Sequence, residues 1–187
     1  MTVSEQKKQL RIKVRKMERE LSPEYKKTAD VLITKRILRL LEYKEANGVF
    51  CFVGTEREID TTALLENVLR QGKRLLVPLC TGPGIMELRQ ITSLSQLEAG
   101  AYGIREPRPD TPKVDKSEVD FAIIPCVSCD RKGHRLGQGG GYYDRFFEEY
   151  AVPTVLVCRE ALMQEHIPVE EHDIVFEKVV SEVANYE

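Results

Sequence analysis

The hydrophobic residues near the start of the chain recur at the spacing of α-helices. Steps of four, three and four residues separate the apolar positions that share one helix face, which are Leu10, Val14, Met17 and Leu21. Ser22 and Pro23 favour a second helix start, because serine caps a helix and proline suits its first turn. A broad apolar stripe then continues to about residue 47. The pattern predicts a pair of helices at the N-terminus.

After residue 48 the pattern changes to short apolar runs separated by amphipathic or irregular segments. The runs with the length and composition of strands are residues 49–53, 74–79, 85–91, 119–125 and 153–158. We expect residues 85–91 to lie at a sheet edge and residues 173–182 to supply one more strand. Helices are predicted for residues 62–71, for a short segment from Ser93 and for residues 142–150. The proline-rich residues 100–115 predict an irregular surface connection.

This alternation predicts an α/β fold with three layers, in which helices cover both faces of a mostly parallel, Rossmann-like sheet. The N-terminal helical pair is an addition to it. The 187 residues contain no repeat or break in composition, so we expect one domain over residues 1–187. Ligands of such sheets bind beyond the carboxyl ends of the strands. The loops after Val53, Leu79 and Pro125 are therefore the candidate binding region.

The charge balance and the cysteines narrow the class of protein. A net charge of −2 gives no reason to expect nucleic acid or an anionic membrane as a partner. The charged N-terminal segment lacks the apolar stretch of a secretory signal. Five cysteines, several of them in apolar strand-like runs, are typical of buried thiols in a reducing compartment. We therefore expect a cytoplasmic protein.

A glycine-rich segment, RLGQGGGYYDRFF at residues 135–147, has the most specific chemistry in the chain. It connects a predicted strand to a predicted helix, where glycines let a ligand approach the backbone and free N–H groups attract phosphate. The segment is not the dinucleotide fingerprint, because Tyr142 stands where the last glycine would fall. It is not a P-loop either, because no Gly-Lys-Ser/Thr follows. A glycine-rich turn without a ligand is the alternative.

Asp144 falls in the first turn of the predicted helix that follows these glycines. The helix dipole alone favours an acid there, but beside bound phosphate a carboxylate is also a common ligand of Mg²⁺. Asp173, far along the chain, is a candidate second carboxylate. The sequence leaves both explanations of Asp144 open.

Several segments in a fixed order resemble the 5-formyltetrahydrofolate cyclo-ligase family, also called methenyltetrahydrofolate synthetase. They are KKQLRIKVR, FVGTEREIDT, LLVPL, REPRP, IIPCVSCDRKGHRLGQGGGYYDRFF and IPVEEHDIVF, which together span nearly the whole chain. The resemblance implies an enzyme that converts 5-formyltetrahydrofolate and ATP, with Mg²⁺, into 5,10-methenyltetrahydrofolate, ADP and phosphate. We expect a monomer. Phosphorylation of the formyl oxygen would turn a very poor leaving group into phosphate.

The resemblance also implies roles for individual residues. Glu58 and Arg135 are implied to be catalytic, and Asp144 and Asp173 to hold Mg²⁺. The implied ATP-binding residues are Lys7, Arg11, Arg135, Gly137, Gln138, Gly139, Gly140, Gly141, Tyr142 and Tyr143. The implied substrate-binding residues are Val53, Glu58, Gln138, Gly140 and Tyr142. Without the resemblance, Lys7 and Arg11 would be part of a solvated helix face, Glu58 a loop acid and Val53 a core residue.

Two positions of the glycine loop depart from the family pattern, and Glu177, a minor change, stands where an Asp is common. Gln138 stands where bacterial members often have Tyr and animal members Arg, and Gly140 replaces a Lys of animal members. These two positions therefore cannot supply the positive charge that animal members have there. Lys7, Arg11, Arg135 and the metal must supply more of the charge stabilisation. A non-catalytic folate- or nucleotide-binding protein that retains the phosphate cradle is the alternative function.

Cys126 and Cys129 are separated by two residues, with His134 nearby as a possible third metal ligand. The sequence has no second pair at the spacing of a zinc site, and this pair does not open a helix after a thioredoxin-like strand. We therefore favour thiols without a metal or redox role. We expect solvated or capping roles for His166 and His172.

Overall fold

A central sheet of eight strands organises the computed structural model, which describes residues 1–100, 103–148, 150–171 and 173–187. The α-helices of the described residues are α1 (Val3–Glu20), α2 (Pro23–Ile37), α3 (Leu41–Glu45), α4 (Thr62–Arg70) and α5 (Tyr142–Phe147). The central strands are β1 (Gly48–Cys51), β2 (Arg74–Gly82), β3 (Ile85–Ile91), β6 (Lys113–Val114), β7 (Phe121–Pro125), β10 (Thr154–Val157), β11 (Val179–Val180) and β12 (Asn185–Tyr186). Two small sheets pair β4 (Leu97–Ala99) with β5 (Arg105–Pro107), and β8 (Ser128–Cys129) with β9 (Arg135–Leu136).

The central sheet is parallel in its middle and antiparallel at its edges. Its strand order is β12-β11-β10-β7-β1-β2-β3-β6. The pairs from β11 to β2 are parallel, whereas β12, β3 and β6 pair antiparallel with their neighbours. Every residue of β1 and β7 is buried, as parallel strands covered on both faces require. The predicted α/β fold with a mostly parallel sheet is confirmed.

Successive residues of each central strand point to opposite faces, so the sheet has a core on each side. Val49 of β1 lies in the core that contains the buried residues of α2 and α4. Its neighbour Phe50 lies in the other core, with Val14 of α1 and Phe146 of α5. The predicted N-terminal helices therefore form, and they cover opposite faces of the sheet.

The start of each N-terminal helix follows from its capping residues. Thr2 Oγ1 accepts a hydrogen bond from the Glu5 backbone N–H at 3.2 Å, and Glu5 Oε2 accepts one from the Thr2 N–H at 2.8 Å. This reciprocal pair satisfies N–H groups that have no partner within the helix. At α2, Ser22 Oγ accepts from the N–H of Tyr25 at 3.1 Å, and Pro23 occupies the first turn. The predicted cap at Ser22 is confirmed.

The proline-rich connection contains more structure than its composition predicts. Within it, β5 pairs with β4, and β6 pairs with β3 through Leu88 opposite Val114. Residues 85–91 are therefore a strand, but the prediction that they form the sheet edge is wrong, because β6 covers part of them. Residues 101 and 102 of the predicted connection, and residue 149 of the predicted helix 142–150, lie outside the described residues.

Several predicted elements differ in length from those in the structure. β2 runs three residues beyond Leu79, because a hairpin turn at Pro83 and Gly84 lets antiparallel pairing with β3 continue. The strand predicted for residues 173–182 is limited to β11 (Val179–Val180), β12 follows it without having been predicted, and α5 ends at Phe147. The apolar stripe after residue 23 divides into α2 and α3, because Leu40 between them is extended. No helix in the described ranges combines the length and apolar character needed to cross a membrane.

Candidate active site

A cavity of about 980 Å³ opens at the carboxyl ends of the parallel strands, where the fold class predicts a ligand. Every residue to which the sequence assigned a binding or catalytic role lines it. They are Lys7, Arg11, Val53, Glu58, Arg135, Gly137, Gln138, Gly139, Gly140, Gly141, Tyr142, Tyr143, Asp144 and Asp173. These residues come from α1, the loop after β1, the segment from β9 to α5 and a turn near residue 170. A volume at the upper end of the range for small-molecule pockets is large enough for a sizeable ligand.

The glycine loop (residues 137–141) bends sharply over this cavity. Gly139 has φ of +100° and Gly141 has φ of +65°, a backbone region in which side chains cause strain. Arg11 Nε donates to the carbonyl oxygen of Gly137 at 2.7 Å, and the Arg145 guanidinium donates to that of Gly140. In a trans peptide the carbonyl and the next N–H point in opposite directions. The N–H groups of Gln138 and Gly141 therefore point away from these two arginines.

Arg135 is held rigidly at the base of the glycine loop. Its Nε donates to the carbonyl oxygen of Pro125, the last residue of β7, at 2.8 Å. Its guanidinium carbon lies 5.0 Å from the centre of the Tyr143 ring, and Nη1 lies 3.4 Å from Asp144 Oδ2. The side chain is 7% exposed. A fixed, buried guanidinium at the cavity wall can stabilise developing negative charge without reorganising.

The two tyrosines after the glycine loop have different surroundings. The Tyr142 hydroxyl donates to the carbonyl oxygen of Gly82 at 3.2 Å, which ties the start of α5 to the β2–β3 hairpin. Tyr143 packs edge to face on Phe50, with ring centres 6.2 Å apart. Burial raises the pKa of Tyr143 further above its already high ordinary value. Tyr143 therefore presents a neutral hydroxyl to the cavity.

The predicted metal ligands each face a different cation. Asp173 Oδ2 lies 2.5 Å from Lys7 Nζ and accepts the backbone N–H of Glu170 at 2.6 Å. Asp144 instead faces Arg135. The structure thus brings Lys7 to Asp173 across 166 residues of sequence. Both carboxylates line the cavity and offer the oxygen ligands that Mg²⁺ prefers, so the donor set fits this ion.

Glu58 lies in the loop after β1, with its carboxylate largely buried. Its Oε2 accepts the Thr55 N–H at 3.1 Å. Burial raises the pKa of Glu58, and the hydrogen bond from Thr55 and the charge of Arg135 oppose that effect only in part. Val53, at the start of this loop, both packs in the core and lines the cavity. The two interpretations of Val53 are therefore compatible.

A buried ion pair that the sequence analysis missed anchors the Glu58 loop. Arg159 Nε and Nη2 donate to the two carboxylate oxygens of Asp30 at 2.8 and 2.9 Å. Arg159 Nη2 also donates to the carbonyl oxygen of Glu58 at 2.8 Å, and Asp30 accepts the N–H of Asp60 at 3.0 Å. The side chains of Arg159 and Asp30 are 3% and 10% exposed. An acid inside the apolar stripe of α2 was the available signal.

One wall of the cavity comes from residues to which the sequence analysis assigned no role. The β2–β3 hairpin contributes Pro78, Cys80, Thr81, Gly82, Pro83 and Met86, and the region of β5 contributes Ile104, Arg105 and Glu106. The crevice rule did select the loop after Leu79, but it named no residue there. Arg145 Nε donates to the carbonyl oxygen of Gly84 at 3.2 Å, which connects this hairpin to α5.

Three thiols meet beside the cavity, and one of them, Cys126, lines it. The sulfur atoms of Cys126, Cys129 and Cys158 all lie within 4.8 Å of one another. His134 is not among them, because its Nδ1 lies 2.8 Å from Asp130 Oδ2. The sequence suggested His134 as a third ligand beside Cys126 and Cys129. In the structure that place is taken by Cys158, which follows β10. His166 is exposed as expected, and His172 lies outside the described residues.

Comparison with known proteins identifies the group to which the sequence is related. Residues 3–182 match the 5-formyltetrahydrofolate cyclo-ligase family. The 5-formyltetrahydrofolate cyclo-ligase of Escherichia coli K12 is 31% identical over 174 residues, which cover 90% of this chain and 96% of that protein. The probable 5-formyltetrahydrofolate cyclo-ligase of Schizosaccharomyces pombe is 31% identical over 124 residues, 64% of this chain and 61% of that protein.

A solved structure shares both the fold and the sequence. The 5,10-methenyltetrahydrofolate synthetase of Aquifex aeolicus superposes with a TM-score of 0.86 and 31% sequence identity. The superposition covers 96% of this chain and 91% of that one. The central sheet and its flanking helices are therefore the fold of that synthetase.

Proposed function

The chain belongs to the 5-formyltetrahydrofolate cyclo-ligase family, and from this premise we propose how its residues perform the reaction. It is an enzyme, and its activity is that of a 5-formyltetrahydrofolate cyclo-ligase. We propose that ATP is the co-substrate, that Mg²⁺ is required, and that ADP and phosphate are released. The observation that carries the proposal is that every residue assigned by the family resemblance lines one cavity.

ATP is needed because the formyl group is an amide whose oxygen leaves poorly. We propose that this oxygen attacks the terminal phosphorus of ATP, so that one P–O bond forms and the bond to ADP breaks. The neighbouring amine nitrogen, which lies outside the pterin ring, then attacks the formyl carbon and loses its proton. The C–O bond breaks with phosphate as the leaving group, which closes the ring of 5,10-methenyltetrahydrofolate. The enzyme contributes mainly positioning and charge stabilisation.

The phosphate end of the site is the glycine loop with its basic neighbours. Backbone N–H groups of this loop would bind phosphate oxygens, because glycine leaves them accessible. Arg135 is fixed at the loop's base, where its charge would oppose the negative charge on the transferring phosphoryl group. Arg11 would contribute at the α1 side, since it already contacts the loop through Gly137.

The metal end of the site is formed by two carboxylates. Asp144 and Asp173 would hold Mg²⁺, which when bound would supply positive charge to the phosphates. Lys7 has three ammonium hydrogens, so it can keep its contact with Asp173 and donate to a phosphate as well. We infer that this ion pair holds the side chains of Lys7 and Asp173 in place before the nucleotide binds.

The folate end of the site is the Glu58 loop. The carboxylate of Glu58 can accept paired hydrogen bonds from pterin N–H groups or stabilise positive charge on the attacking nitrogen, and its burial strengthens either interaction. Val53 and Tyr142 would pack against the ligand at this end, beside Gly140. Gln138 Oε1 accepts a hydrogen bond from Arg15 Nη2 at 2.9 Å, which leaves its amide nitrogen to donate to the substrate. We propose that Gln138 binds by hydrogen bonding instead of by charge.

We further infer one cyclo-ligase domain over residues 1–187 that acts as a monomer, since a single chain supplies the whole site. The five cysteines are free, which fits a reducing cytoplasmic location. Small molecules, with no nucleic acid or membrane, are the proposed partners.

A direct assay tests the proposal. Purified protein is mixed with 5-formyltetrahydrofolate, ATP and Mg²⁺, and the methenyl product is followed by its absorbance while ADP release is measured in parallel. We expect product and ADP in equal amounts, and none without ATP. If the folded protein bound folate and ATP but formed no product, the non-catalytic alternative would replace this proposal.

A further inference from the structure

Three cysteines from different segments bring their sulfur atoms together beside the active-site cavity. Cys126 follows β7, Cys129 lies in β8 and Cys158 follows β10. Their sulfur atoms are within 4.8 Å of one another, although Cys158 is 29 residues or more from the other two in sequence. The β8–β9 hairpin and the parallel pairing of β7 with β10 create this arrangement.

The spacing of the sulfur atoms is close to that of a thiolate metal site. A Zn–S bond of about 2.3 Å in tetrahedral geometry places two sulfur ligands about 3.8 Å apart. Sulfur atoms within 4.8 Å would therefore need to approach by at most about 1 Å. Rotation of a cysteine side chain about its single Cα–Cβ bond supplies a movement of this size.

The cluster differs from an ordinary buried cysteine because one side of it is open. Cys129 and Cys158 are buried, whereas Cys126 is partly exposed and lines the large cavity. Cys126 and Cys158 also line a small adjoining cavity of about 50 Å³, which Glu58 and Arg159 share. An ion thus has an entry route and room for a fourth ligand. Cys51, fully buried in the opposite core, provides the contrast.

The surrounding charges suit a thiolate site. A divalent ion bound by three thiolates carries a net charge of −1 after the thiol protons leave to solvent. Arg135 acts electrostatically on Cys126, and Arg159 lines the small cavity beside Cys158. Arg135 offsets part of the charge of the anionic complex in a partly buried place, where an uncompensated charge is costly, whereas the charge of Arg159 is already balanced by Asp30.

We propose that Cys126, Cys129 and Cys158 form a binding site for a thiophilic divalent cation such as Zn²⁺ or Cd²⁺, with its fourth position open to the small cavity. The bound ion would lie beside Glu58 and interfere with the pterin end of the folate. This consequence rests on the proposed function, whereas metal binding itself does not. The site is separate from the oxygen ligands proposed for Mg²⁺, because soft cations prefer sulfur.

Metal titration of the wild-type protein is the direct test. The protein is reduced with a phosphine, freed of metal by a chelator and titrated anaerobically with Co²⁺, without substrate. We expect one equivalent to bind, with thiolate-to-cobalt charge-transfer absorption and d–d bands of tetrahedral intensity, and Zn²⁺ to displace it. Bound Zn²⁺ should protect these three cysteines from alkylation, as mapped by mass spectrometry. Absence of the charge-transfer band, or protection of other cysteines, would overturn the proposal.

Variants locate the ligands. Cys129→Ser and Cys158→Ser should each weaken Co²⁺ binding more than about 100-fold, because even an outer-shell change costs roughly 10- to 100-fold. Cys51→Ser, at an equally buried cysteine outside the cluster, should leave binding unchanged. Circular dichroism checks that each variant folds. If Cys129→Ser and Cys158→Ser do not fold, Cys126→Ser, at the most accessible position of the three, takes their place in the titration. Equal binding by wild type and all cluster variants would refute the site.

A second measurement separates the metal site from its consequence. Binding of 5-formyltetrahydrofolate is measured in a zinc buffer without ATP, for wild type and for Cys158→Ser. We expect Zn²⁺ to weaken folate binding at least tenfold in wild type and not in the variant. If cobalt binds but folate affinity is unchanged, the site stands and its link to the folate pocket is wrong. If two cysteines of the cluster were still joined by a disulfide after anaerobic reduction, the site itself would be refuted.

Discussion

The ion pair between Asp30 and Arg159 offers the sharpest test of how the fold positions the active site. Asp30→Asn keeps the size of the side chain but replaces an acceptor oxygen with a donor. In the native protein, the Asp30 carboxylate accepts two hydrogen bonds from Arg159 and one from the N–H of Asp60. In the variant, the amide N–H group of the new side chain faces an N–H group of Arg159 or of Asp60, so both are donors. The buried charge of Arg159 also loses its counterion.

The magnitude follows from burial. Removing one partner of a buried ion pair costs about 3–5 kcal/mol, and these side chains are 10% and 3% exposed. For a chain of this size the loss lowers the melting temperature by about 6–20 °C. Because Arg159 also holds the carbonyl oxygens of Arg57 and Glu58, the Glu58 loop should loosen. We expect the KM for folate to rise roughly tenfold, equivalent to about 1.4 kcal/mol, with the KM for ATP little changed.

Thermal and urea unfolding measure the stability, and steady-state kinetics measure the two KM values. The double variant Asp30→Leu with Arg159→Met should recover most of the stability, since apolar residues can replace a buried pair, but it should keep the high folate KM. Arg131→Ala is the matched control, because its ion pair with Glu160 has an N–O distance of 2.9 Å but Arg131 is 67% exposed. It should leave the free energy of unfolding nearly unchanged, because solvent screens an exposed ion pair. A loss below 1 kcal/mol in Asp30→Asn with unchanged folate KM would refute the reasoning.

Three further predictions concern the cavity itself. Burial raises the pKa of Glu58, so the stability that its protonated form contributes is lost as pH rises through the folded pKa. The variant Glu58→Gln should therefore have a higher melting temperature than wild type at about pH 8, the difference should shrink towards about pH 4, and turnover should be lost. An equal melting temperature at pH 8 would contradict this. Asp144→Asn should keep its fold by circular dichroism but lower Mg²⁺ affinity in turnover assays at least about tenfold, and unchanged metal dependence would remove Asp144 from the metal site. Gly141→Ala forces a side chain into φ of +65° and places its Cβ 2.7 Å from Arg145 Nη1, so we expect a cost of more than about 1–2 kcal/mol and weaker ATP binding by calorimetry. Gly72→Ala, at φ of +70° with open space around it, should cost only the backbone strain of about 1–2 kcal/mol and leave ATP affinity unchanged.

Local sequence patterns were sufficient for the central parallel strands β1, β2, β7 and β10 and for the glycine loop. A strand buried on both faces must be apolar throughout, so β1 and β7 were recognisable from their composition. The turn at residues 137–141 needs positive φ, and glycine is the residue that supplies it. The family resemblance then extended this to individual side chains such as Glu58 and Asp173, because their order along the chain is itself a pattern.

The edges of the sheet were harder to predict from the sequence. β6 has two residues, and β3 is covered only where Leu88 and Arg89 meet it. Such short pairings carry no periodic signal, because two residues are too few to show alternation. The separation of α1 and α2 onto opposite faces was equally hidden, since an amphipathic helix specifies that it packs but not against which face.

Patterns along the chain specified which residues could form strands and helices and where the glycine turn lies, because these features depend on neighbours a few positions apart. Which distant groups meet depends on the tertiary structure. The contacts in question join Lys7 to Asp173, Asp30 to Arg159, and Cys158 to Cys126 and Cys129. The physical reason is that each of these contacts depends on the register of the whole sheet and on the burial of charge. Both are settled only when all the strands and helices pack together.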